Sequence, residues 1–189
     1  MADWDERYRR GEHATAEPSR LLVRAVEHLA PGRALDIACG AGRHAVYLAS
    51  RGWRVTAVDA SRVGVELMQE RARLCGAELD ARVADLERGE FRIEADAYDL
   101  VCDFYYLQRD LFAQLQAGVC AGALFVAAIH MTDEAPDLKP MNPDFLLEPG
   151  ELRTFFEGWQ IEHYHETPTH DPDAGDHTRR TAEIIAVKK

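Results

Sequence analysis

Short strand-type runs alternate with helix-type runs through most of this chain, and that rhythm restricts its fold more than any other feature. Strands are predicted over residues 34–38, 54–58, 79–83, 98–102 and 123–129. Helices are predicted between them, over residues 42–51, 62–74 and 111–117, the first two with apolar residues at roughly helical spacing. Alternation of this kind predicts right-handed β-α-β crossovers and a parallel sheet covered on both faces.

Both ends of the chain extend this prediction. A helix over residues 18–29 precedes the first strand and stops at Pro31-Gly32. After Ile129, the stretch MTDEAPDLKPMNPDFLLEPGE holds four prolines and breaks the regular rhythm. A short helix over residues 150–156 and strands over 159–165 and 180–187 follow, and the two strands are predicted to form a hairpin that finishes the sheet antiparallel. We expect a single domain, in which residues 1–30 precede a core at 33–130 and residues 131–189 form the substrate side.

Composition excludes several classes of partner. The net charge of −11 repels nucleic acid, and no basic stripe offsets it. The cysteines form no C-x-x-C pair, so neither a metal site nor a redox dithiol is predicted; they are Cys39, Cys75, Cys102 and Cys120. The longest apolar run, residues 121–129, is too short to span a bilayer, and MADWDERYRRGEH lacks the apolar centre of a signal peptide. We therefore expect a cytoplasmic protein, monomeric or homodimeric, without a membrane partner.

A strand, a glycine-containing turn and a helix follow one another in ALDIACGAGRHAVYLA, residues 34–49. Gly40 and Gly42 allow a tight turn and close approach to a ligand, and the helix that follows directs free N–H groups into the same space. Residues 40–45 also have the G-x-G-x-x-A spelling of a dinucleotide-binding turn. The turn therefore predicts a nucleotide site and leaves NAD open as its ligand.

Acidic residues near the ends of three successive strands favour a different nucleotide. Asp36 precedes the glycines, where it disfavours a pyrophosphate and favours the cationic, phosphate-free S-adenosylmethionine. Asp59 can accept both hydroxyl protons of a ribose, although it could also cap the helix that begins at residue 61 or 62. Asp85 can accept a hydrogen bond from an adenine amino group, or it can simply be a turn residue. As a set, the acids suit an aminoacyl-adenosine ligand lying across the carboxyl ends of the strands.

Several motifs carry a resemblance to known families. ALDIACGAGRH, VTAVDAS, VADL and YDLVCDFYYL occur in order within residues 33–130 and resemble the class I S-adenosylmethionine-dependent methyltransferases. GRHAVYLASRGWRVTAVD, FVAAIHMTD and EPGELRTFFEGWQIEHYHE, with the terminal AEIIAVKK, resemble the tellurite-resistance (TehB-like) methyltransferases within that superfamily. The resemblance implies a Rossmann-like α/β fold whose seven-stranded, mostly parallel sheet ends in a C-terminal antiparallel hairpin. It also implies S-adenosyl-L-methionine as the cofactor.

The resemblance assigns roles in cofactor binding to residues that match the family's motifs. The loop around the methionine part is matched by Asp36, Ala38, Gly40 and Gly42, with alanine at position 38 where the motif often has glycine. The ribose and adenine positions are matched by Asp59, Ala60, Asp85 and Leu86, and Phe104 falls where such enzymes face the bound cofactor and acceptor, as does Tyr105. DWDERYRRG resembles a lid segment, in which Trp4 and Tyr8 share a helix face and could cover the methionine end.

Basic residues that could hold an anionic acceptor lie mostly late in the chain. The resemblance implies catalytic roles for His170, His177 and Arg180, although Asp171 stands where the family has an arginine. Further candidates are Arg179, His130, Arg43, His44 and Arg9.

The leading hypothesis from the sequence is in-line methyl transfer to a small anionic or soft acceptor, such as tellurite, selenite or a thiol, for which proximity and alignment supply most of the catalysis. Three alternatives stay open. They are a methyltransferase for a small organic acid or a thiopurine-like acceptor, a non-catalytic module that binds the cofactor, and an NAD-linked oxidoreductase.

Overall fold

The computed structural model describes residues 4–171 and 178–189, and within them the chain forms a seven-stranded sheet. The strands are β1 (Arg33–Ile37), β2 (Arg54–Asp59), β3 (Asp80–Val83), β4 (Tyr98–Phe104), β5 (Val119–His130), β6 (Gln160–Glu166) and β7 (Thr181–Val187). Their order across the sheet is β3-β2-β1-β4-β5-β7-β6. Strands β1 to β5 pair in parallel, whereas β7 is antiparallel to both β5 and β6. The predicted mostly parallel sheet with a C-terminal antiparallel hairpin is confirmed.

Helices cover both faces of the sheet. The helices are α1 (Trp4–Arg9), α2 (Arg20–Val26), α3 (Arg43–Ser50), α4 (Arg62–Leu74), α5 (Phe112–Gly118) and α6 (Glu151–Thr154), with short 3-10 turns at Arg109–Leu111 and Pro143–Phe145. Apolar residues of α2, α3 and α4 pack on one face together with Leu100 and Val126. Residues of α5 and α6 pack on the other face around Phe125 and Phe156. No helix in the described part of the chain is long and apolar enough to cross a membrane.

The helix and strand boundaries differ from the predicted ones where local hydrogen bonds decide them. Helix α2 begins at Arg20 because Ser19 caps it, accepting a hydrogen bond from the backbone N–H of Leu21, and it ends at Val26, three residues before the predicted end. Helix α6 ends at Thr154, two residues before the predicted end, and begins after Gly150, which adopts φ 80°. Strand β5 begins at Val119 instead of residue 123, because Val119 already pairs with Tyr98 before the register shifts.

The strand order reverses its direction between β1 and β4, which places a crevice at the carboxyl ends of these strands. The carboxyl ends of β1 to β5 meet at this edge because the five strands are parallel. Asp36, Asp59, Phe104 and His130 lie at or near the last residues of their strands. The fold therefore brings residues that are far apart in sequence to one edge of the sheet.

Candidate active site

The glycine turn between β1 and α3 has the strained backbone that the sequence predicts. Ala38, Gly40 and Gly42 have positive φ values of 45°, 55° and 76°, and Gly42 is the N-cap of α3. A Cβ atom on Gly40 would lie 2.2 Å from the hydroxyl oxygen of Tyr8, so only glycine fits beneath that side chain. Ala38 adopts the left-handed region with a methyl side chain, which shows that a small residue is accommodated where the family motif often has glycine.

Asp36 lies beneath this turn as a buried carboxylate with one unused oxygen. The residue is 1% exposed, and one carboxylate oxygen accepts the backbone N–H of Ala45 in α3. The other, Oδ2, has no hydrogen-bond partner in the described residues. Burial raises the pKa of Asp36 to about 7, although the positive charge of Arg43 opposes the shift. An unpaired buried carboxylate is costly for the protein alone, and it fits a cationic ammonium better than a phosphate.

Asp59 joins the glycine turn to the start of α4. Its two carboxylate oxygens accept the backbone N–H groups of Gly40 and Ser61, each at 2.7 Å. The N-cap of α4 is Ser61, whose hydroxyl oxygen accepts from Gly64, so Asp59 does not itself cap the helix. Each Asp59 oxygen keeps one lone pair, and these are suited to accept the two hydroxyl protons of a ribose.

The predicted adenine residues follow β3. One Asp85 oxygen accepts the backbone N–H groups of Glu87 and Arg88, so its carboxylate closes a turn. Leu86 is buried in the core, and Ala60 lies exposed between Asp59 and Ser61. Asp85 is therefore a turn residue in the structure, and a hydrogen bond from its carboxylate to an adenine stays a prediction.

Helix α1 lies directly over the glycine turn. Trp4 and Tyr8 share one face of the helix, with their ring centroids 6.0 Å apart, and the Tyr8 ring also packs against Gly64 of α4. Asp5 anchors the helix by accepting hydrogen bonds from the Ser61 hydroxyl at 2.5 Å and the Val63 backbone N–H at 3.2 Å. The guanidinium of Arg71 donates hydrogen bonds to backbone carbonyl oxygens of two segments. These are Ala14 and Thr15, in the segment after α1, and Ala41, in the glycine turn. Helix α1 is therefore tied to the glycine turn and to α4, and its role as a lid stays a prediction.

The Asp5→Ala variant is expected to loosen this lid. The substitution removes both hydrogen bonds to α4, so α1 should leave the glycine turn more often, at a cost of about 1–2 kcal/mol. Tryptic cleavage after Arg7, Arg9 or Arg10 of the folded protein should become about tenfold faster. Glu6→Ala is the control, because Glu6 forms ion pairs with Arg9 of the same helix and with Arg10 directly after it. Equal cleavage rates for the two variants would contradict the anchoring role of Asp5.

Aromatic and basic side chains line the next part of the same edge, after β4 and β5. Phe104 stacks on His44, with ring centroids 3.9 Å apart. The Tyr105 ring lies 4.9 Å from the His130 ring and 5.5 Å from the guanidinium carbon of Arg43. The glycine turn and this aromatic cluster are therefore adjacent, since Arg43 and His44 begin α3 immediately after Gly42.

Positive charge is concentrated here although the whole chain is acidic. Burial, together with the charges of Arg179 and His13, lowers the pKa of His130 to about 4. The pKa of His13 is likewise lowered by burial, then by the charges of Arg7, Lys139 and Arg43. Arg179 is 9% exposed and donates to the backbone oxygen of Lys139 at 2.8 Å. The charges of two arginines therefore act on two histidines whose pKa values are lowered, and we name this group the basic cluster: Arg43, His130, Arg179 and His13.

Of the three residues predicted to be catalytic, the two within the described residues each have an acidic partner. His170 forms an ion pair with Asp137, with 2.9 Å between Nε2 and Oδ2. Arg180 lies 3.4 Å from Glu166 and lines a cleft of about 850 Å³ with Asp133, Glu134 and Glu148. His177 lies outside the described residues. Their catalytic roles stay predictions.

Some residues of the site were not singled out by the sequence pattern. His13 reaches the basic cluster from the segment after α1, and nothing in the sequence around it indicates that position. Asp103 is 1% exposed, and its Oδ1 has no hydrogen-bond partner in the described residues. The signal for Asp103 was a charge inside the apolar run YDLVCDF, the same kind of signal that identified Asp36.

Comparison with known proteins agrees with this geometry. The family model "Tellurite resistance protein TehB" matches residues 4–180. Curated relatives include "Hemagglutinin 1" of Eikenella corrodens, 27% identical over 161 residues, covering 82% of this chain and 53% of that protein. Another is the "Probable S-adenosyl-L-methionine-dependent methyltransferase TehB" of Haemophilus influenzae (strain 10810), 24% identical over 151 residues, covering 77% of this chain and 52% of that protein. The chain thus spans about half the length of the curated relatives it matches.

Solved structures of other proteins share the fold of this chain. The crystal structure of TehB from Haemophilus influenzae superposes with a TM-score of 0.77 at 20% sequence identity, covering 98% of this chain and 67% of that one. These matches agree with S-adenosylmethionine, rather than NAD, as the ligand of the glycine turn. The chain therefore belongs to the TehB family, within the class I S-adenosylmethionine-dependent methyltransferases.

Proposed function

We propose that this protein transfers a methyl group from S-adenosylmethionine to a small anionic or soft nucleophilic acceptor, either a metalloid oxyanion such as tellurite or selenite, or a thiol. One observation carries the proposal. The unpaired Oδ2 of Asp36, under a glycine turn suited to a cationic nucleotide, lies at the same sheet edge as the basic cluster. This edge of the sheet would hold a cationic methyl donor and an anionic acceptor next to each other.

The cofactor supplies a methyl carbon on a sulfonium, and the electron pair of the broken carbon–sulfur bond stays on sulfur while a lone pair of the acceptor forms the new bond. The chain has to hold and align the two molecules, because the sulfur leaves as a neutral thioether. Asp36 would hold the ammonium, Asp59 the ribose hydroxyls, and Tyr8 would cover the turn. Lid closure over the glycine turn excludes water from the charges gathered there.

The basic cluster serves the acceptor in this proposal. Arg43 and Arg179 supply guanidinium groups, and a guanidinium can hold an oxyanion through two hydrogen bonds. His130 is neutral at pH 7, because its pKa is about 4, so it can donate one hydrogen bond without a charge. An acceptor that arrives as an anion needs no general base.

The cytoplasmic location is part of the proposal. Its support is that Cys39, Cys75, Cys102 and Cys120 are all free thiols, as expected in a reducing compartment. A small-molecule acceptor, with neither nucleic acid nor membrane as partner, rests on the net charge of −11.

Calorimetric titration with S-adenosylmethionine and with NAD tests the cofactor, and a transfer assay with labelled cofactor tests the activity. The assay panel contains tellurite, selenite, a simple thiol, a thiopurine and small carboxylates. Binding of S-adenosylmethionine with turnover of tellurite, selenite or the thiol supports the proposal. Turnover of the thiopurine or a carboxylate alone favours the alternative acceptors, and binding without turnover favours a non-catalytic module. Preference for NAD would overturn the proposal.

A further inference from the structure

Tyr105 has a backbone conformation that is unusual for a bulky residue. It follows β4 directly and has a φ of 67°, in the left-handed region that side chains with a Cβ avoid. Its backbone N–H donates to the carbonyl oxygen of Ala128 in β5 at 2.7 Å, so the residue is tied to the neighbouring strand. Strained residues of this kind persist only where the surroundings fix them, and they occur preferentially in functional sites.

A buried carboxylate fixes the turn in which Tyr105 lies. The Asp103 carboxylate accepts the backbone N–H of Tyr106, which closes the turn across Tyr105. Asp103 cannot easily exchange this bond for water, because it is 1% exposed. The two hydrogen bonds on either side of Tyr105 therefore determine where its side chain points.

The Tyr105 side chain points into the basic cluster. An N–H group of Arg43 donates to the phenol oxygen, and the guanidinium carbon lies 5.5 Å from the ring centroid. The His130 ring also packs against the Tyr105 ring, with 4.9 Å between the two ring centroids. Burial raises the pKa of Tyr105, Arg43 opposes the shift, and the negative charges of Glu183 and Asp171 add to it. At neutral pH the phenol therefore keeps its proton and can donate a hydrogen bond, and it does not act as a base.

We propose that Tyr105 is a specificity-determining residue of the transfer reaction, whose phenol O–H donates a hydrogen bond to an oxygen of an anionic acceptor held between Arg43 and His130. The inference rests on the proposed function and narrows it. Phenol and guanidinium donors bind oxygen far better than sulfur, which is a weak acceptor. The acceptor class that fits is therefore an oxyanion, with a simple thiol as the poorer substrate.

The test compares Tyr105→Phe with Tyr106→Phe. Tyr105→Phe keeps the ring between Arg43 and His130 and removes only the hydroxyl. Tyr106 is the matched control, because its hydroxyl donates to Gln108 at 2.7 Å, away from the cluster. The readouts are the KM and kcat for selenite and for 2-mercaptoethanol, and the Kd for S-adenosylmethionine.

Tyr105→Phe should raise the KM for selenite about tenfold, with smaller changes in kcat, in the KM for the thiol and in the cofactor Kd. Tyr106→Phe should match the wild type in all of them. An unchanged KM for selenite in Tyr105→Phe, or a wild type that turns over the thiol but not selenite, overturns the inference. A wild type that methylates nothing overturns the proposed function instead. Should Tyr105→Phe fail to fold, Tyr105→Leu, which likewise removes the hydroxyl, takes its place, and an unchanged KM for selenite there also overturns the inference.

Discussion

The Asp36→Asn variant is expected to bind S-adenosylmethionine about 30- to 100-fold more weakly than the wild type, because it loses a charge-assisted hydrogen bond to the ammonium. Asparagine still accepts the N–H of Ala45, so the turn itself should persist. What disappears is the negative charge on Oδ2, the atom without a partner in the described residues. Titration calorimetry at pH 8 measures the change directly.

The same substitution is expected to stabilise the protein in the absence of cofactor. The pKa of Asp36 in the folded protein, about 7, lies above the usual value of 3.8 for an aspartate, so between these pH values the folded state holds a proton that the unfolded state has lost. Stability contributed by this group is therefore present below about pH 4 and is lost as pH rises to about 7. At pH 8 the asparagine variant should be more stable by about 1–3 kcal/mol, since it carries no buried charge.

The pH dependence of cofactor binding gives a second readout. A cation binds the ionised form of Asp36, so the wild-type affinity should rise between pH 5.5 and pH 8, and this rise should be smaller in Asp36→Asn. Asp96→Asn is the control, because it removes the same charge from the surface, where Asp96 pairs with Lys188. A cofactor Kd that is equal in Asp36→Asn and wild type would show that the ligand does not contact this carboxylate.

The core of the fold was predictable because its signals are local. The strand–glycine turn–helix unit and the acids at positions 36 and 59 are encoded within stretches of a few residues, and the structure places them at one edge. The starts of α2 and β5 were misplaced, because a serine cap and a pairing with a distant strand decide them. Such contacts are invisible in a short window of sequence.

The acceptor side was harder to predict because it is assembled from distant segments. Arg43, His130 and Arg179 come from α3, the end of β5 and the approach to β7, and only the sheet order brings them together. Arg179 and Arg180 are adjacent in sequence, yet their side chains have different surroundings. No pattern of spacing separates the two arginines, whereas the structure shows that Arg179 is the more buried of them.

Replacement of Arg179 by glutamine is expected to raise the KM for an anionic acceptor about a hundredfold, with little change in the Kd for the cofactor. Arg179 is buried, and its charge acts on His130, so the substitution removes a desolvated positive charge from the basic cluster. A buried charge contributes far more to binding an anion than an exposed one, because water screens it less. Steady-state kinetics with the best acceptor from the panel measure the effect.

Arg180→Gln is the matched control, and it distinguishes two locations for the acceptor. Arg180 lies by Glu166 in a cleft that is also lined by Asp133, Glu134 and Glu148, and these carboxylates repel an anion. We therefore expect its KM to change by less than about threefold. The opposite result, a large rise for Arg180→Gln and none for Arg179→Gln, would place the acceptor with His170 and Arg180, as the family likeness implies. Because the two substitutions are neighbours with the same change of charge, a difference between them can come only from where each side chain lies.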